Sequence, residues 1–434
     1  MTRRVFFLAG CGLLGLLLAC SSSTSARGDE RATSDDGVAP AHSALAAALA
    51  SRSEPVVRRI GADPVELVAH RRLGAPVMVD NLTVWPVLTD QPLEIGEFLT
   101  LKEAQERGQA KVLEVGAEEG QDRASVGTLQ VRNEGELPIL IPAGTIVKGG
   151  KQDRQIGQDL VVRPKSQVPV EAFCVEAGRW TANRAGVQTK GEFKAHGMLA
   201  LSSVRSSGQY AKNQGEVWAQ VSRANYCMSK SPGTSTLLAT LEDDDERAKS
   251  YRKAVREAVS AHFAAQAEGI GAQGWVTVGL AYAIDGAPQT VRVFAHPDLL
   301  KRQLPSYLRT ISFEVDVAQR AVLLGCGRIV KEPAKAQAVL KLVREIEAAK
   351  QETAAIGTHN RNRYRRAKAG GNSRCELLHE GRWVPVSEDW TVSSAPVEGA
   401  APAQGNDQQL QQQQGWPSYR NDVGPEREQR QERR

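Results

Sequence analysis

Apolar and polar positions change rhythm three times along the chain. From residue 77 to about residue 176 the apolar positions alternate or come in short runs, the pattern of β-strands. Strands are predicted over 77–85, 111–115, 126–133, 137–141, 145–148 and 168–176. Asn133-Glu134-Gly135 and Pro142-Ala143-Gly144 punctuate them as turns. One helix interrupts this region. Thr100 and Glu103 form a capping-box signature at its start, and Gly108 supplies its stop. Two short amphipathic helices are expected before the strands, over 43–52 and 63–71.

After Trp180 the pattern is polar and irregular to about Gly208, and a short helix opens at Gln214. Residues 243–266 then read as a strong helix, acidic in its first turn and followed by Gly269. A strand over 275–284, a tight turn at Asp285-Gly286 and a second strand over 289–294 predict a hairpin. A helix over 297–309 follows, and then the strand-like alternation Ile311-Ser312-Phe313-Glu314-Val315. Residues 333–351 read as an amphipathic helix with Pro333 near its first turn, and 375–386 as one more hairpin. The expected fold class is α+β, with a β-rich portion over about 75–180 packed against a helix-and-hairpin portion over about 210–350.

The two ends differ from the middle. Arg3 and Arg4 precede an almost unbroken apolar run over 5–18, which is of signal-peptide length and short for a bilayer span. It ends Leu17-Leu18-Ala19-Cys20, which resembles a bacterial lipoprotein signal and predicts lipidation of Cys20. Leu8-Ala9-Gly10-Cys11 fits the same pattern but leaves only three apolar residues ahead of it. Several acyl chains, at about 0.8 kcal/mol per buried methylene, would hold such a terminus on a membrane. Ser21 after the cysteine is not Asp, and by resemblance to lipoprotein sorting this favours the outer membrane where there are two. The expected location is therefore the bacterial cell envelope, facing the periplasm. Residues 21–42 are polar and low in aromatics and read as a flexible tether. Residues 393–434, with the glutamine run at 408–414, read as a disordered tail.

A formal net charge of +5 is modest and comes largely from clusters. The densest is Arg361-Asn362-Arg363-Tyr364-Arg365-Arg366-Ala367-Lys368, read as a solvated linker or as a face for anionic envelope polymers or lipid head groups. No aromatic-studded basic sheet or recognition helix accompanies it, so no nucleic-acid partner is expected. Of six cysteines, Cys174, Cys227, Cys326 and Cys375 remain after the signal and the lipid site, and two disulfides are permitted with connectivity open. No CxxC or HExxH spacing is present, so neither a metal site nor a cofactor is expected.

The candidate chemistry is concentrated between Lys148 and Trp180. Lys148, Lys151, Gln152, Asp153 and Arg154 form one polar cluster, and Cys174, Glu176, Arg179 and Trp180 another. Two strands joined by a loop would bring the clusters together at one end. Lys148, Lys151, Arg154 and Arg179 would hold an anionic group, the arginines bidentately and the lysines as point charges. Gln152 would add a directional amide and Trp180 a stacking face. In a catalytic version Cys174 is the nucleophile, or Glu176 or Asp153 a general base. His196 is the histidine nearest Cys174 in the chain and is expected in a solvated polar loop. If the groups instead pair among themselves in a closed network, they fix the fold and no ligand role follows.

Several segments resemble the domain named for its association with ADP-ribosylglycohydrolases and rhodanese-type phosphatases. The most specific are Gly149-Gly150-Lys151-Gln152-Asp153-Arg154 and Phe173-Cys174-Val175-Glu176-Ala177-Gly178-Arg179-Trp180. Asn81 to Val87, Phe98 to Ala104 and Asn213 to Trp218 add weaker matches. The likeness covers about 75–320, which predicts a family-like α+β domain there. A helix, basic linker and hairpin would follow over 321–392. The resemblance implies chemistry around ADP-ribose, nucleotides or phosphate esters. Family members often carry an acidic residue in the stretch before the GGKQDR motif, where Thr145 follows Gly144 here. Three functions therefore stand side by side: an envelope lipoprotein binding a small anion, a hydrolase or transferase using the same pocket, and a structural scaffold.

Overall fold

A computed structural model describes residues 54–392, apart from 69, 116–126, 185, 232, 272–273, 325–327, 357–361, 370–371 and 380–383. The chain opens with strands β1 (Val57–Arg59), β2 (Val65–Val68), β3 (Arg71–Leu73), β4 (Val77–Val79), β5 (Leu82–Thr89) and β6 (Leu99–Thr100). Helix α1 (Leu101–Glu106) leads into β7 (Ala110–Glu114), β8 (Thr128–Asn133), β9 (Ile139–Ile141), β10 (Thr145–Gly149), β11 (Arg154–Ile156), β12 (Leu160–Val162) and β13 (Ser166–Cys174). Next come β14 (Asn183–Arg184), β15 (Val187–Gln188), β16 (Glu192–Leu199), α2 (Ser202–Gln209), α3 (Gln214–Cys227), α4 (Leu238–Leu241) and α5 (Glu246–Gly271). The remainder is β17 (Val276–Ile284), β18 (Ala287–Phe294), α6 (Pro297–Leu323), α7 (Ala336–Glu347), β19 (Gln351–Ile356), β20 (Asn362–Ala369), β21 (Asn372–His379) and β22 (Val384–Val392).

The fold is α+β and has two large β bodies, beside a three-stranded sheet β12-β9-β6 and the β14–β15 hairpin. Strands β10-β11-β13-β8-β7-β16 close into a barrel, and an 11-stranded sheet runs β1-β4-β5-β17-β18-β22-β21-β20-β19, with the β2–β3 hairpin paired to β5. The barrel is inserted between two neighbouring sheet strands, since β5 and β17 pair antiparallel from Leu82↔Ile284 to Thr89↔Val276. One sheet face packs on α5 and α6 through Val84, Leu280, Tyr251, Val259, Tyr307 and Ile311. The other packs on α7 through Trp85, Val291, Trp390, Val339 and Val343. The barrel has its own interior of Val112, Val131, Val147, Ile156, Val170 and Phe193. Each such fully buried side chain contributes roughly 1.5–3 kcal/mol.

A buried polar seam joins the barrel to the sheet. Asp159, in the turn between β11 and β12, accepts from Arg292 of β18 at 2.5 Å and from Ser387 of β22 at 2.7 Å, and its backbone carbonyl accepts from Tyr364. Arg205 of α2 donates to Thr290 at 2.7 Å and lies 3.9 Å from Asp389. Asp159 and Arg292 are 0 and 1 % exposed, so removing one partner would strand the other charge.

The capping box at Thr100 and Glu103 is present, with both reciprocal hydrogen bonds. The hairpin at Asp285-Gly286 forms as the sequence indicates. Elsewhere the structure corrects the pattern. Residues 63–71 are not helical but form the β2–β3 hairpin, because β3 finds a partner in β5 and two helical turns alone cannot repay nucleation. The stretch 181–208 is not irregular: it holds the β14–β15 hairpin, barrel strand β16 and helix α2. Serine, glycine and glutamine give α2 a poor intrinsic propensity, and burial of Val204 to Gln209 overrides it. The helix opened at Gln214 runs on to Cys227. The alternation at 311–315 is no strand but the middle of α6, where Thr310 to Asp316 are all buried, so no polar face marks the helical period. Residues 362–368 of the basic run are not a linker but part of β20. Tyr364 and Ala367 turn inward, while Arg365 pairs with Glu376 at 3.4 Å. The sequence expectations for 1–20, 21–42, 43–52 and 393–434 fall outside the described residues.

Candidate functional site

The two polar clusters of the sequence do meet, at one end of the barrel. Gly149 and Gly150 turn the chain from β10 towards β11 directly over β16. Their φ values are 145° and 48°, and a Cβ would lie 2.2 Å from the Glu192 carbonyl at the first and 2.1 Å from the Phe193 ring at the second. Register then places Arg154 opposite Cys174 on β13. Arg154 Nη1 donates to Cys174 Sγ at 2.6 Å and to Gln152 Oε1 at 3.1 Å. Its guanidinium carbon lies 5.7 Å from the Trp180 ring centroid, and Lys151 Nζ lies 5.4 Å from it.

Beside this pair lies a carboxylate latch. Strand β13 ends at Cys174, so Glu176 leaves the strand and is held by a bridge to Thr236. Glu176 accepts from Arg179 Nε at 2.7 Å and Nη2 at 2.8 Å, a side-on fork, and from the Asp153 amide at 3.0 Å. Arg179 also donates to the Gly150 and Thr181 carbonyls. Asp153 accepts from the Gly149 amide at 3.0 Å, and Lys151 donates its amide to Glu114 at 2.6 Å. Gln214, at the start of α3, clips both backbone groups of Cys174 at 2.8 Å.

This arrangement is closed. Cys174 and Asp153 are 0 % exposed, Arg154 1 %, Gln152 5 % and Glu176 8 %. Cys174 is a thiol, and burial pushes its pKa up against the opposing pull of Arg154. Only Trp180, at 37 % exposure, presents a large face to solvent. Lys148 stands apart from the others and pairs with Glu242 at 2.5 Å.

An open cleft of about 140 Å³ lies elsewhere, between α1, β16 and α6. That is roughly ten times the space one ordered water needs, so it has room for a small ligand. Lys102, Glu103, Glu106, Arg302 and Arg309 stand on its walls with Thr145 and Gly197, and Leu101, Leu140 and Leu199 contribute apolar surface. Thr145 is the position where the resemblance leads one to expect an acid. Arg302 is occupied by Glu97 at 2.5 Å and Glu103 at 3.1 Å, and Lys102 pairs with Glu106. Burial works to raise the Glu103 pKa, but hydrogen bonds from Thr100 and the charge of Arg302 outweigh it and hold the carboxyl below its usual range. Arg309 differs: among the described residues no carboxylate lies within ion-pair distance, and its Nε is buried without a hydrogen-bond partner. Gly197 makes the approach possible. Its φ is 79° at an irregularity in the β10–β16 ladder, and a Cβ there would lie 2.9 Å from Lys102 Cδ and 3.5 Å from Arg309 Nη2.

His196, next in the chain, is not in a solvated loop. It sits on β16 with its side chain 15 % exposed, its Nε2 3.4 Å from Glu242 and its Nδ1 buried without a partner. Burial depresses its pKa, and Lys148 and Arg309 press in the same direction against Glu242. Sequence reasoning missed Lys102, His196 and Arg309 as a group, because they come from three separated segments. The one local signal was Gly197 inside an otherwise strand-like run. Among the described residues no three His, Cys, Asp or Glu side chains gather as metal ligands, and no helix is long and apolar enough to cross a membrane.

No curated protein and no solved structure matches the chain. A family model matches residues 70–388, a span from the β2–β3 hairpin to β22 that takes in the barrel, the latch and the cleft together. The chain belongs to the family of the ARG and Rhodanese-Phosphatase-superfamily-associated Protein domain.

Proposed function

We propose that the chain is a lipid-anchored envelope protein whose domain binds a small anionic molecule in the cleft beneath Arg309. The observation that carries this reading is a guanidinium on an open cleft with no carboxylate within ion-pair distance among the described residues, beside Lys102 and over a glycine that lets both approach. A cation left unneutralised at a concave, partly apolar surface is what an anionic ligand completes. Of the residues expected to hold the anion, Lys148 borders this side of the barrel, while Gln152, Arg154 and Arg179 are engaged in the closed cluster. That engagement supports a structural role for the signature. A protonated, fully buried Cys174 gives the hydrolase or transferase alternative no exposed thiolate.

The anchor rests on the apolar run ending at Cys20 and is tested by radiolabelled fatty acid. Label enters wild type and Cys11→Ser and is absent from Cys20→Ser; equal labelling of all three removes the anchor from the proposal. Binding is tested by calorimetric titration of the full chain, in detergent, with inorganic phosphate. Heat that vanishes in Arg309→Gln supports the cleft, and heat unchanged in that variant refutes it.

A further inference from the structure

The cleft is one end of a longer basic surface. On the barrel side, Lys148 and Lys194 are register partners across β10 and β16, so their side chains leave the ladder on the same face. His196 follows Lys194 by two positions on the same strand. Like charges directly opposed across a ladder are destabilising. Among the described residues Lys194 has no ion pair, and Lys148 shares the single carboxylate of Glu242 with His196. On the helical side, Arg256 of α5 reaches Ser312 Oγ of α6 at 3.4 Å, and Ser312 in turn donates to the Arg309 carbonyl at 2.7 Å. Arg256 therefore stands within a turn of Arg309, and it too lacks a carboxylate within ion-pair distance among the described residues. The nearest acid on its own helix, Glu257, lies 3.7 Å from Lys253 and is largely exposed. The crowding is electrostatically costly: burial, then Arg252 and Arg309, depress the Arg256 pKa.

Lys102, Arg309, Arg256, Lys148 and Lys194 thus come from five elements, α1, α6, α5, β10 and β16. Glu106 and Glu242 are the carboxylates in ion pairs with this set. A single monoanion in the cleft would answer Arg309 and leave Arg256 and Lys194 unanswered, with Lys148 still sharing Glu242 with His196. Building on the cleft reading, we propose that the ligand carries two phosphoryl groups, as a diphosphate or a bisphosphate does. One group sits at Arg309 and Lys102, and the second sits beyond Gly197, between Arg256 and the Lys148–Lys194 pair. His196, neutral at physiological pH, offers an imidazole there rather than a further charge. Arg256 and Lys148 are the residues that separate a two-group ligand from inorganic phosphate.

The test is a calorimetric comparison of inorganic phosphate with pyrophosphate, using the full chain in detergent without added metal. Pyrophosphate should bind at least about tenfold more tightly, as one further charge-assisted contact provides. Arg256→Gln should remove most of that preference while leaving phosphate affinity within about twofold; Lys148→Gln should also remove most of the preference, and Lys148→Arg should retain it. Arg309→Gln should weaken both ligands. Equal affinity for the two ligands, still dependent on Arg309, would overturn the second subsite and leave the cleft standing. A preference that survives both Arg256→Gln and Lys148→Gln also overturns it. Loss of binding to neither ligand in Arg309→Gln sinks the cleft itself, and with it the extension.

Discussion

The barrel end and the cleft hold similar side chains and arrange them in opposite ways. At the barrel end Arg179 grips Glu176 through two hydrogen bonds and leaves no part of that carboxylate wanting. In the cleft Arg309 has a lysine neighbour but, among the described residues, no carboxylate within ion-pair distance, because Glu103 and Glu106 on the same walls are paired with Arg302 and Lys102. The denser cluster is thus the quieter one chemically. Ionisable residues crowded into one stretch of sequence find partners in one another, because their tethers are short. Cations delivered by separate elements meet without their usual counter-charges, and the resulting field is available to something else.

The largest effect that tests this contrast is on stability. Arg179→Ala removes the two-bond fork on buried Glu176 and the guanidinium 3.9 Å from Asp153, and should cost about 3–5 kcal/mol in urea unfolding. Arg309→Gln strands no acid and should change stability by less than about 1 kcal/mol. Comparable losses in the two variants would erase the distinction between latch and cleft.

A second, smaller effect separates the two arginines of the barrel end, Arg179 in the latch and Arg154 beside it. Arg154 has a thiol, an amide and an indole face around it rather than a carboxylate. Arg154→Met removes a buried charge along with its desolvation cost, so the loss should stay below about 2 kcal/mol. A loss as large as that of Arg179→Ala would mean that Arg154 also answers a buried anion.

The third is a pH effect. The His196 pKa is lower in the fold than in the unfolded chain, so the unfolded state takes up the proton first. Stability from this site is full above the ordinary imidazole pKa of about 6.5 and falls as pH drops through it towards the folded value. His196→Gln should flatten part of that decline in denaturation series at successive pH values. His262, buried against the Ala75 carbonyl, is shifted the same way and should account for the remainder. A wild-type profile flat across this range would contradict both assignments.

The smallest effect concerns Lys102. Its pair with Glu106 is an exposed i,i+4 contact, and Lys102→Gln should move stability by no more than about 0.5 kcal/mol. The same change should reduce the salt sensitivity of phosphate binding, read from titrations at several ionic strengths. An unaltered salt dependence would remove Lys102 from the cleft's field.

How much of this was legible in the sequence follows from what each feature needs. The capping box, the Asp285-Gly286 hairpin and the meeting of the two signature clusters depend on neighbours close in the chain, and all were readable. That Arg154 would lie opposite Cys174 needed only two strands and a turn. The alternation at 311–315 misled because a helix buried on every side carries no amphipathic stripe. The basic run at 361–368 misled because its inward residues, Tyr364 and Ala367, are few and its arginines conspicuous. The cleft was not legible at all. Lys102, Arg256 and Arg309 are each ordinary in their own segments, Lys148 reads as part of the other cluster, and only the packing of α6 on β16 and of α5 on α6 assembles them.

The insertion of the barrel between β5 and β17 has a consequence for how the protein is made. Thr89 and Val276 are ladder partners, so the central pair of the sheet cannot form until position 276 has emerged. The whole barrel segment lies between them, so as the chain emerges from its N-terminus the barrel follows β5 and precedes β17. During that interval the whole barrel becomes available and can close on itself, while β5, with all eight residues destined for burial, waits with an open edge. Contacts this distant in sequence slow folding. The yield of native protein is then set by how well that waiting strand is shielded, and a barrel that closes early is the nearest shield the nascent chain has.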